Sequence, residues 1–399
     1  MKNAKKGKED SQGVRDLLSR GVENITVKDH LESRLRKGEK LRVKLGIDPT
    51  SPHIHLGRVT QLLKLKDFQD LGHKVVFIVG DFTGEIGDTS DKDSERPILT
   101  TKQVKANMKQ YLAQASRFMN IKKAEVHYNS AWLSKMKFGE VARLADAFSV
   151  SEFSSRTNIK KRLEEGKRVS LREMLYPLMQ GYDSVKVKSD VEIGGTDQTF
   201  NLLAGRTLQR ALGLPAQDIM TGPLIPGTDG RKMSSSWGNT ITPEDKPEDV
   251  YGKVMRIPDD VIVQYFISAT RVPLNRVNEI AHGLERGENP RNAKMELARA
   301  ITTLFHNEKA AVRAEQTFVA LFQKHETPTD IVTKKVSFMG ILDVLVEVGL
   351  ASSKSEARRL MREGGIKRNG SVERSEAGTI KSGDVISRGK RQFVRIIHK

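Results

Sequence analysis

Residues 41–58 read LRVKLGIDPTSPHIHLGR, and the reading of this stretch decides how the chain is organised. Leu41 to Ile47 alternates and is rich in branched side chains, the pattern of a β-strand. Asp48-Pro49-Thr50-Ser51-Pro52 interrupts it, because each proline removes a backbone donor and fixes φ. From His55-Leu56-Gly57-Arg58 onward the pattern is helical, with Leu56, Val59, Leu62, Leu63 and Leu71 as its apolar positions. A strand entering a helix through a tight loop presents unpaired N–H groups and the positive end of the helix dipole to an anion. His55 and Arg58, on one helical turn, can both donate to phosphate oxygens, and Gly57 lets a ligand approach the backbone closely.

Lys74 to Gly80 (KVVFIVG) is a continuous apolar run, read as a buried parallel strand, and Asp81 to Asp88 (DFTGEIGD) is the loop at its carboxyl end. Strand, helix and strand at this spacing make a right-handed βαβ unit of a doubly wound parallel sheet. Ligands of such sheets bind beyond the carboxyl ends of the strands, which makes Asp88 a candidate for holding an ammonium group. Residues 100–170 read as a mainly helical, strongly charged insertion carrying subunit contacts. In Tyr176-Pro-Leu-Met-Gln-Gly-Tyr-Asp183, the side chains of Tyr176, Gln180 and Asp183 share one helix face. Burying a hydroxyl, an amide and a carboxylate there is costly unless they meet water or a polar ligand. Asp190 to Gln198 (DVEIGGTDQ) reads as another strand with a glycine turn, and Asp197 at its end suits a ribose diol. A helix follows from Asn201 to Leu212, stopped by Gly213. Pro223 to Gly230 is rich in turn residues and leads into Lys232-Met233-Ser234-Ser235-Ser236, a loop expected to be mobile, whose lysine offers a phosphate ligand.

The 399 residues suffice for two or three domains. With no cysteine, neither a disulfide framework nor a zinc–thiolate site is possible, which fits a reducing cytoplasm. No apolar run reaches the length of a transmembrane helix, about 18 residues. The N-terminal MKNAKKGKEDSQG is basic but has no apolar segment after it, so it reads as a short disordered tail and not a secretory signal. A formal net charge of +18, from 68 Lys and Arg against 50 Asp and Glu, points to a polyanionic partner, most simply nucleic acid. From Pro243 to about Lys324 the pattern is almost entirely helical, a second domain. Ser337 to Lys399 reads as a compact third unit. There Ser353 and Glu356 form a capping-box pattern opening a helix with Ala357, Leu360 and Met361 inside and Arg358, Arg359 and Arg362 outside. Asn369-Gly370 signals a hairpin turn, and residues 381–396 a strand pair turning at Gly389. A basic helix beside basic strand ends fits binding to an RNA backbone.

HLGR (55–58) and KMSSS (232–236) together resemble the HIGH and KMSKS signatures of class I aminoacyl-tRNA synthetases, in the right order. With KLGIDPT (44–50), VGDFTGEIGD (79–88), YPLMQGYDS (176–184), VEIGGTDQ (191–198), AKMELA (293–298) and SKSEARRLM (353–361), the chain is similar over nearly its whole length to bacterial tyrosyl-tRNA synthetases. The branch is the one that ends in a small RNA-binding domain like that of ribosomal protein S-four. The resemblance implies an α/β fold. Residues 1–238 are a Rossmann-like catalytic domain with a doubly wound parallel sheet and the helical insertion at about 100–170. On the same resemblance residues 239–324 would be an α-helical anticodon-recognition domain, 325–336 a linker and 337–399 the small α+β RNA-binding domain. It also implies a cytoplasmic homodimer, away from any membrane, acting on ATP with Mg2+, L-tyrosine and tRNA(Tyr), with no protein-held metal.

Carried over by motif, Tyr176, Gln180 and Asp88 would hold the tyrosine's ammonium group, Asp183 would accept from its phenolic hydroxyl, and Gln198 would sit near its carboxylate. Thr50, His55, Arg58, Lys232 and Ser235 form the catalytic set around the triphosphate, with Asp48, Pro49, Met233, Ser234 and Ser236 beside them. Gly46, Gly57, Gly195 and Asp197 would contact adenosine, Asp197 at the ribose. Lys354, Arg358, Arg359 and Arg362 would bind RNA. Four positions depart from the family pattern: Arg58 replaces the second histidine of HIGH, Ser235 the second lysine of KMSKS, and Thr89 a usual proline. Lys44 stands where many relatives carry a tyrosine that touches the substrate's hydroxyl, although the close branch often has lysine; it is placed with the tyrosine-binding set, and the phenol contact rests mainly on Asp183. The rival readings are a tryptophanyl-tRNA synthetase, a nucleotidylyltransferase with a related loop, and an RNA-binding protein that has lost catalysis.

Overall fold

The computed structural model describes residues 12–90, 98–322, 331–389 and 392–398. Within them the chain divides into two compact units between Asn307 and Glu308. The N-terminal tail through residue 11, residues 325–330 of the expected linker, and residues 390–391 of the last hairpin lie outside the described residues.

The first unit is built on β1 (Asn24–Thr26), β2 (Arg42–Ile47), β3 (Lys74–Val79), β4 (Glu125–Tyr128), β5 (Val191–Gly195) and β6 (Asp218–Gly222), in the order β1-β6-β5-β2-β3-β4. All neighbours run parallel except β1 against β6. Chain order reverses between β2 and β5, which pair through Val43↔Val191 and Lys44↔Glu192. That switch point opens a crevice at the carboxyl edge. Val75 to Val79 are all buried, as a strand covered on both faces requires.

Helix α1 (Leu56–Asp70) buries Leu56, Val59, Leu62, Leu63, Leu65 and Phe68 against β2, β3 and β5. Leu71, expected on the same face, is the half-buried residue that follows the helix. Lys64 lies within the apolar face, its charge reaching the Leu17 carbonyl at 2.8 Å. Helix α2 (Leu171–Val187) starts in a capping box, with Ser170 accepting from Arg172 N and Glu173 returning to Ser170 N. It packs on α3 (Thr199–Ala211) so tightly that a Cβ at Gly181 would lie 3.0 Å from the Ala204 backbone.

Residues 100–170 are largely helical as expected, but they also supply β4, the edge strand of the sheet. A four-residue strand between helices leaves too short an alternation to stand out, and the same holds for three-residue β1. Strand β6, whose Asp218 is buried against His30, was hidden by its polar start. The helices Pro247–Val254, Ile262–Ala269, Leu274–Glu285 and Pro290–Phe305 complete this unit.

The second unit contains the helix Glu308–Phe322 and a five-stranded sheet, β7 (Val332–Val336), β8 (Ile366–Arg368), β9 (Ser371–Val372), β10 (Val385–Arg388) and β11 (Gln392–His398), ordered β7-β11-β10-β8-β9. Strand β7 pairs parallel with β11, so the latter part of the 325–336 stretch read as a linker is a strand. Asn369 and Gly370 turn between β8 and β9 with φ of 48° and 87°, the left-handed pair a tight hairpin demands. Helix α4 (Lys354–Arg362) buries Ala357, Leu360 and Met361 and exposes Lys354, Arg358, Arg359 and Arg362. Its cap differs from a closed box: Ser353 accepts from Glu356 N at 3.2 Å, but the Glu356 carboxylate reaches Ser352 N at 2.7 Å.

Candidate active site

The crevice between β2 and β5 holds a cleft of about 250 Å3. Strand β2 and the loop after it contribute Gly46, Asp48 and Thr50; the start of α1 brings His55, Gly57 and Arg58. Helix α2 presents Tyr176, Gln180 and Asp183 together, as their spacing required, and Asp88 faces them from the loop after β3. Asp197 and Gln198 enter from the turn after β5, and Lys232, Met233, Ser234 and Ser235 from the serine-rich loop. Lys44, Pro49 and Gly195 are not among the lining residues. The Ser236 side chain lies outside the described set.

At the deep end, Asp183 is 3% exposed and accepts from the Trp132 indole N–H at 2.7 Å and from Asn129 Nδ2 at 3.2 Å. Burial pushes its carboxyl up to about 7, against the pull of Lys44 and of these two donors. Asn129 also donates to Thr83 Oγ1 at 2.9 Å, Thr83 donates to Asp48 Oδ1 at 2.7 Å, and Tyr176 donates to Asp48 Oδ2 at 2.9 Å. The Asp183 and Asp48 carboxylates are therefore linked by a continuous run of hydrogen bonds. Burial lifts the Asp48 carboxyl to about 6, opposed by the donors Thr83 and Tyr176. A Cβ at Gly80 would collide with both Asp48 and Thr83, so glycine is required where β3 ends. Asp88 accepts from Ser90 N at 3.0 Å and from Gln198 Nε2 at 2.7 Å, which ties the β5 turn to the β3 loop.

The other end of the cleft is cationic. Arg58 Nη1 donates to the Asp48 carbonyl at 2.9 Å and to the Tyr111 hydroxyl at 2.6 Å, while Nη2 donates to Thr50 Oγ1 at 3.0 Å. His55 caps α1 through its backbone, and its ring lies over Gly57, where a Cβ would come within 3.2 Å of it. Burial, and then the charges of Arg58 and Lys232, drive His55 down to about 3, so the ring is neutral at working pH. Its buried Nδ1 has no partner among the described residues, as suits a group whose partner is a ligand. Lys232 Nζ donates to Asp197 Oδ2 at 2.8 Å. The loop read as mobile is tied by Asn239, which receives Ser234 N at 2.9 Å and donates to the Lys232 carbonyl at 3.1 Å.

Four side chains of this constellation escaped sequence reasoning: Thr83, Tyr111, Asn129 and Trp132. Thr83 sits inside the DFTGEIGD loop, while Asn129 and Trp132 follow β4, whose short alternation was the signal that a strand end, and hence a site, lay there. Tyr111 carries no sequence signal, being one buried tyrosine in a helical stretch.

The carboxylates Asp48, Asp88 and Asp183 beside Tyr176, and the cations Arg58 and Lys232 beside Asp197, in one cleft beyond the strand ends suit an amino acid and a nucleotide. Residues 36–323 match the model of the class I tRNA synthetases for W and Y, and residues 339–386 that of the S4 domain. The chain is 45% identical over 385 residues to the tyrosine–tRNA ligase of Thermotoga maritima, covering 95% of this chain and 96% of that protein. The chain belongs to the tyrosine–tRNA ligase family.

The tyrosine–tRNA ligase of Haemophilus influenzae is 42% identical, with 95% of each chain covered. Among solved structures, the tyrosyl-tRNA synthetase of Archaeoglobus fulgidus complexed with L-tyrosine superposes with a TM-score of 0.62 at 21% identity, over 77% of this chain and 99% of that one. A C-terminally truncated mitochondrial tyrosyl-tRNA synthetase of Coccidioides posadasii gives 0.62 at 22%, over 79% and 97%. At that identity the two solved structures establish the shared class I fold. The family model takes in the cleft and the helices after it as far as residue 323, and the S4 match takes in α4, β8, β9 and the start of β10 in the second unit.

Proposed function

We propose that this tyrosine–tRNA ligase selects its amino acid through Asp183 and activates it between the carboxylate and cationic ends of the cleft. The observation that carries the reading is a buried acceptor, Asp183, at the closed end of a pocket whose other end presents Arg58 and Lys232. The substrate's phenol donates to Asp183, and its ammonium group meets Asp88, Gln180 and the Asp48–Tyr176 pair. This moves Asp48 from the phosphate surroundings to the ammonium side, because Tyr176 donates to it. Leaving Asp183 without the phenol is what rejects phenylalanine, since a buried acceptor without its partner costs its full desolvation.

The tyrosine carboxylate attacks the α-phosphorus of ATP in line, giving tyrosyl-adenylate and pyrophosphate; a terminal ribose hydroxyl of tRNA(Tyr) then attacks the adenylate. No protein nucleophile is needed, so the work of the chain is positioning and stabilising charge. Arg58, Thr50, Lys232, Ser235 and the neutral His55 donate to phosphoryl oxygens, and Mg2+ arrives with ATP as part of that substrate. Asp197 accepts from the ribose, with Gly46 and Gly57 leaving room for the nucleotide.

Lys354, Arg358, Arg359 and Arg362, exposed on α4, contact RNA phosphates. A homodimer is supported by Phe138, Val150 and Leu171, which are 90%, 81% and 83% exposed in and beside the helical stretch 100–170. The cytoplasm is the compartment this reading implies; among the described residues no helix is long and apolar enough to cross a membrane.

Amino-acid-dependent ATP–pyrophosphate exchange with tyrosine, tryptophan and phenylalanine tests the assignment without tRNA. Exchange with tyrosine alone is expected. Exchange with tryptophan instead would overturn the pocket while keeping the class, and none in folded protein would leave RNA binding alone.

A further inference from the structure

Lys44 is a lysine with no exposed surface, and it lies behind the cleft wall. The parallel register of β2 and β5 sets it opposite Glu192, itself 1% exposed, with Nζ 2.8 Å from Oε1. The same Nζ donates to the Gln180 carbonyl at 2.9 Å and to Ser184 Oγ at 2.8 Å. The ammonium group is thus committed to two hydrogen bonds and an ion pair, and Lys44 is not among the residues that line the cleft. Glu192 in turn accepts from the Gln180 amide at 3.2 Å, from Ser184 Oγ at 2.9 Å and from Gln217. Gln180 is thus held by its main chain through Lys44 and by its side chain through Glu192.

We propose that Lys44 is a positioning residue for tyrosine selection: it anchors α2 to the sheet and supplies the cation that keeps Asp183 able to accept the phenolic hydroxyl. The inference rests on the assignment of Asp183 to that hydroxyl. Asp183 precedes Ser184 on α2, so the anchor and the acceptor share one turn. The groups that act on Asp183 are Lys44 from β2, Glu192 from β5, the Tyr176 phenol and the neutral donors Asn129 and Trp132, with His127 against the Trp132 ring; the carboxylates Asp48 and Asp88 line the same pocket and act on Tyr176. Among the charges that set its ionisation, Lys44 favours the carboxylate and outweighs Glu192, which opposes it. Burial favours the carboxylic acid, and Lys44 with the two donors favours the carboxylate that the substrate is to meet.

Lys44→Met alone strands a buried carboxylate and is expected to damage the fold. The test therefore uses Lys44→Met/Glu192→Gln, which removes both charges, beside Glu192→Gln. In the full chain, kcat/KM for tyrosine and for phenylalanine is followed in pyrophosphate exchange from about pH 6 to 9, where free-enzyme ionisations show. Preference for tyrosine falls as pH falls through the ionisation of Asp183. In the double variant the midpoint should move up by about one pH unit, with KM for ATP within about twofold. In Glu192→Gln the Gln180 carbonyl, the Ser184 hydroxyl and the new amide oxygen still accept from Lys44 and hold its charge, so the midpoint should move down. A merely structural Lys44 cannot give opposite signs. Unchanged midpoints, or shifts in the same direction, overturn the inference, provided Asp183→Ala abolishes the preference; if Asp183→Ala leaves it intact, the underlying assignment fails instead. Should the double variant not fold, the downward shift in Glu192→Gln carries the test.

Discussion

Tyr111→Phe deletes one oxygen and leaves the ring in its fully buried place, so it isolates what the hydroxyl does for Arg58. Arg58 has three contacts of about equal quality, to the Asp48 carbonyl, to Tyr111 and to Thr50. A hydrogen bond to a charged group contributes about 1.5–3 kcal/mol, and with two of the three retained the lower figure applies. If the guanidinium must be held still to meet charge developing on phosphoryl oxygens, about 1.5 kcal/mol is lost in the transition state, close to a tenfold drop in rate. A hydroxyl that serves the fold alone would instead take that energy from the ligand-free protein, as a fall in Tm of roughly 2–4 °C at full rate. The assay is pyrophosphate exchange with ATP varied at saturating tyrosine and with tyrosine varied at saturating ATP, beside a thermal melt. The expected outcome is about a tenfold lower kcat and an unchanged KM for tyrosine. A full-rate enzyme whose Tm falls by that amount would refute the reasoning, since the hydroxyl would then serve the fold alone. Equal damage to tyrosine binding would also refute it, by putting Arg58 at the wrong end of the cleft.

Asp183→Ala should cut the preference for tyrosine over phenylalanine by roughly 10- to 150-fold, the worth of a charged hydrogen bond; the ratio of the two kcat/KM values measures it. Asp183 keeps its proton up to about pH 7 in the fold but only to 3.8 when unfolded, so the native state binds more protons in that window and this group's stabilising contribution is lost as pH rises through it. The Tm of the ligand-free wild type, compared with Asp183→Asn, should therefore fall as pH climbs from about 4 to 7, and a difference independent of pH would count against it. Arg162 and Glu173 are a fully buried pair 2.5 Å apart, and Arg162→Met should cost about 3–5 kcal/mol in urea unfolding by leaving Glu173 alone. Replacing Lys354, Arg358, Arg359 and Arg362 by alanine should weaken tRNA binding and flatten its salt dependence while leaving pyrophosphate exchange unchanged.

The parts of the site that lie on one local element were legible from sequence. Tyr176, Gln180 and Asp183 follow from helical spacing alone, and Asp48, His55 and Arg58 from a strand that breaks into a helix. What was not legible depends on which distant strands become neighbours. Lys44 looked like a substrate contact because only the β2–β5 register shows that Glu192 stands opposite and takes its charge. Asn129 and Trp132 were lost inside a stretch read as helical, because four residues of β4 give too little alternation to register as a strand. The linker reading failed at Val332–Val336 for a related reason: a strand that is mostly exposed and pairs with the last strand of the chain has no apolar pattern of its own.

At the phosphate end the two departures from the signatures have one electrostatic consequence. His55 is neutral and position 235 carries a hydroxyl, so the lining cations are Arg58, fastened to the scaffold, and Lys232, on the serine-rich loop. A donor held in advance costs nothing to reorganise when charge develops, which favours Arg58 as the constant contributor. Lys232 is different, because its 2.8 Å partner is Asp197, the residue assigned to the ribose. On the proposed assignment, a ribose diol at Asp197 would compete with that ion pair and free Lys232 for the phosphates. Seating the sugar and delivering the second cation are then one event, and a nucleotide that cannot reach Asp197 gains only half of the charge that the cleft can offer.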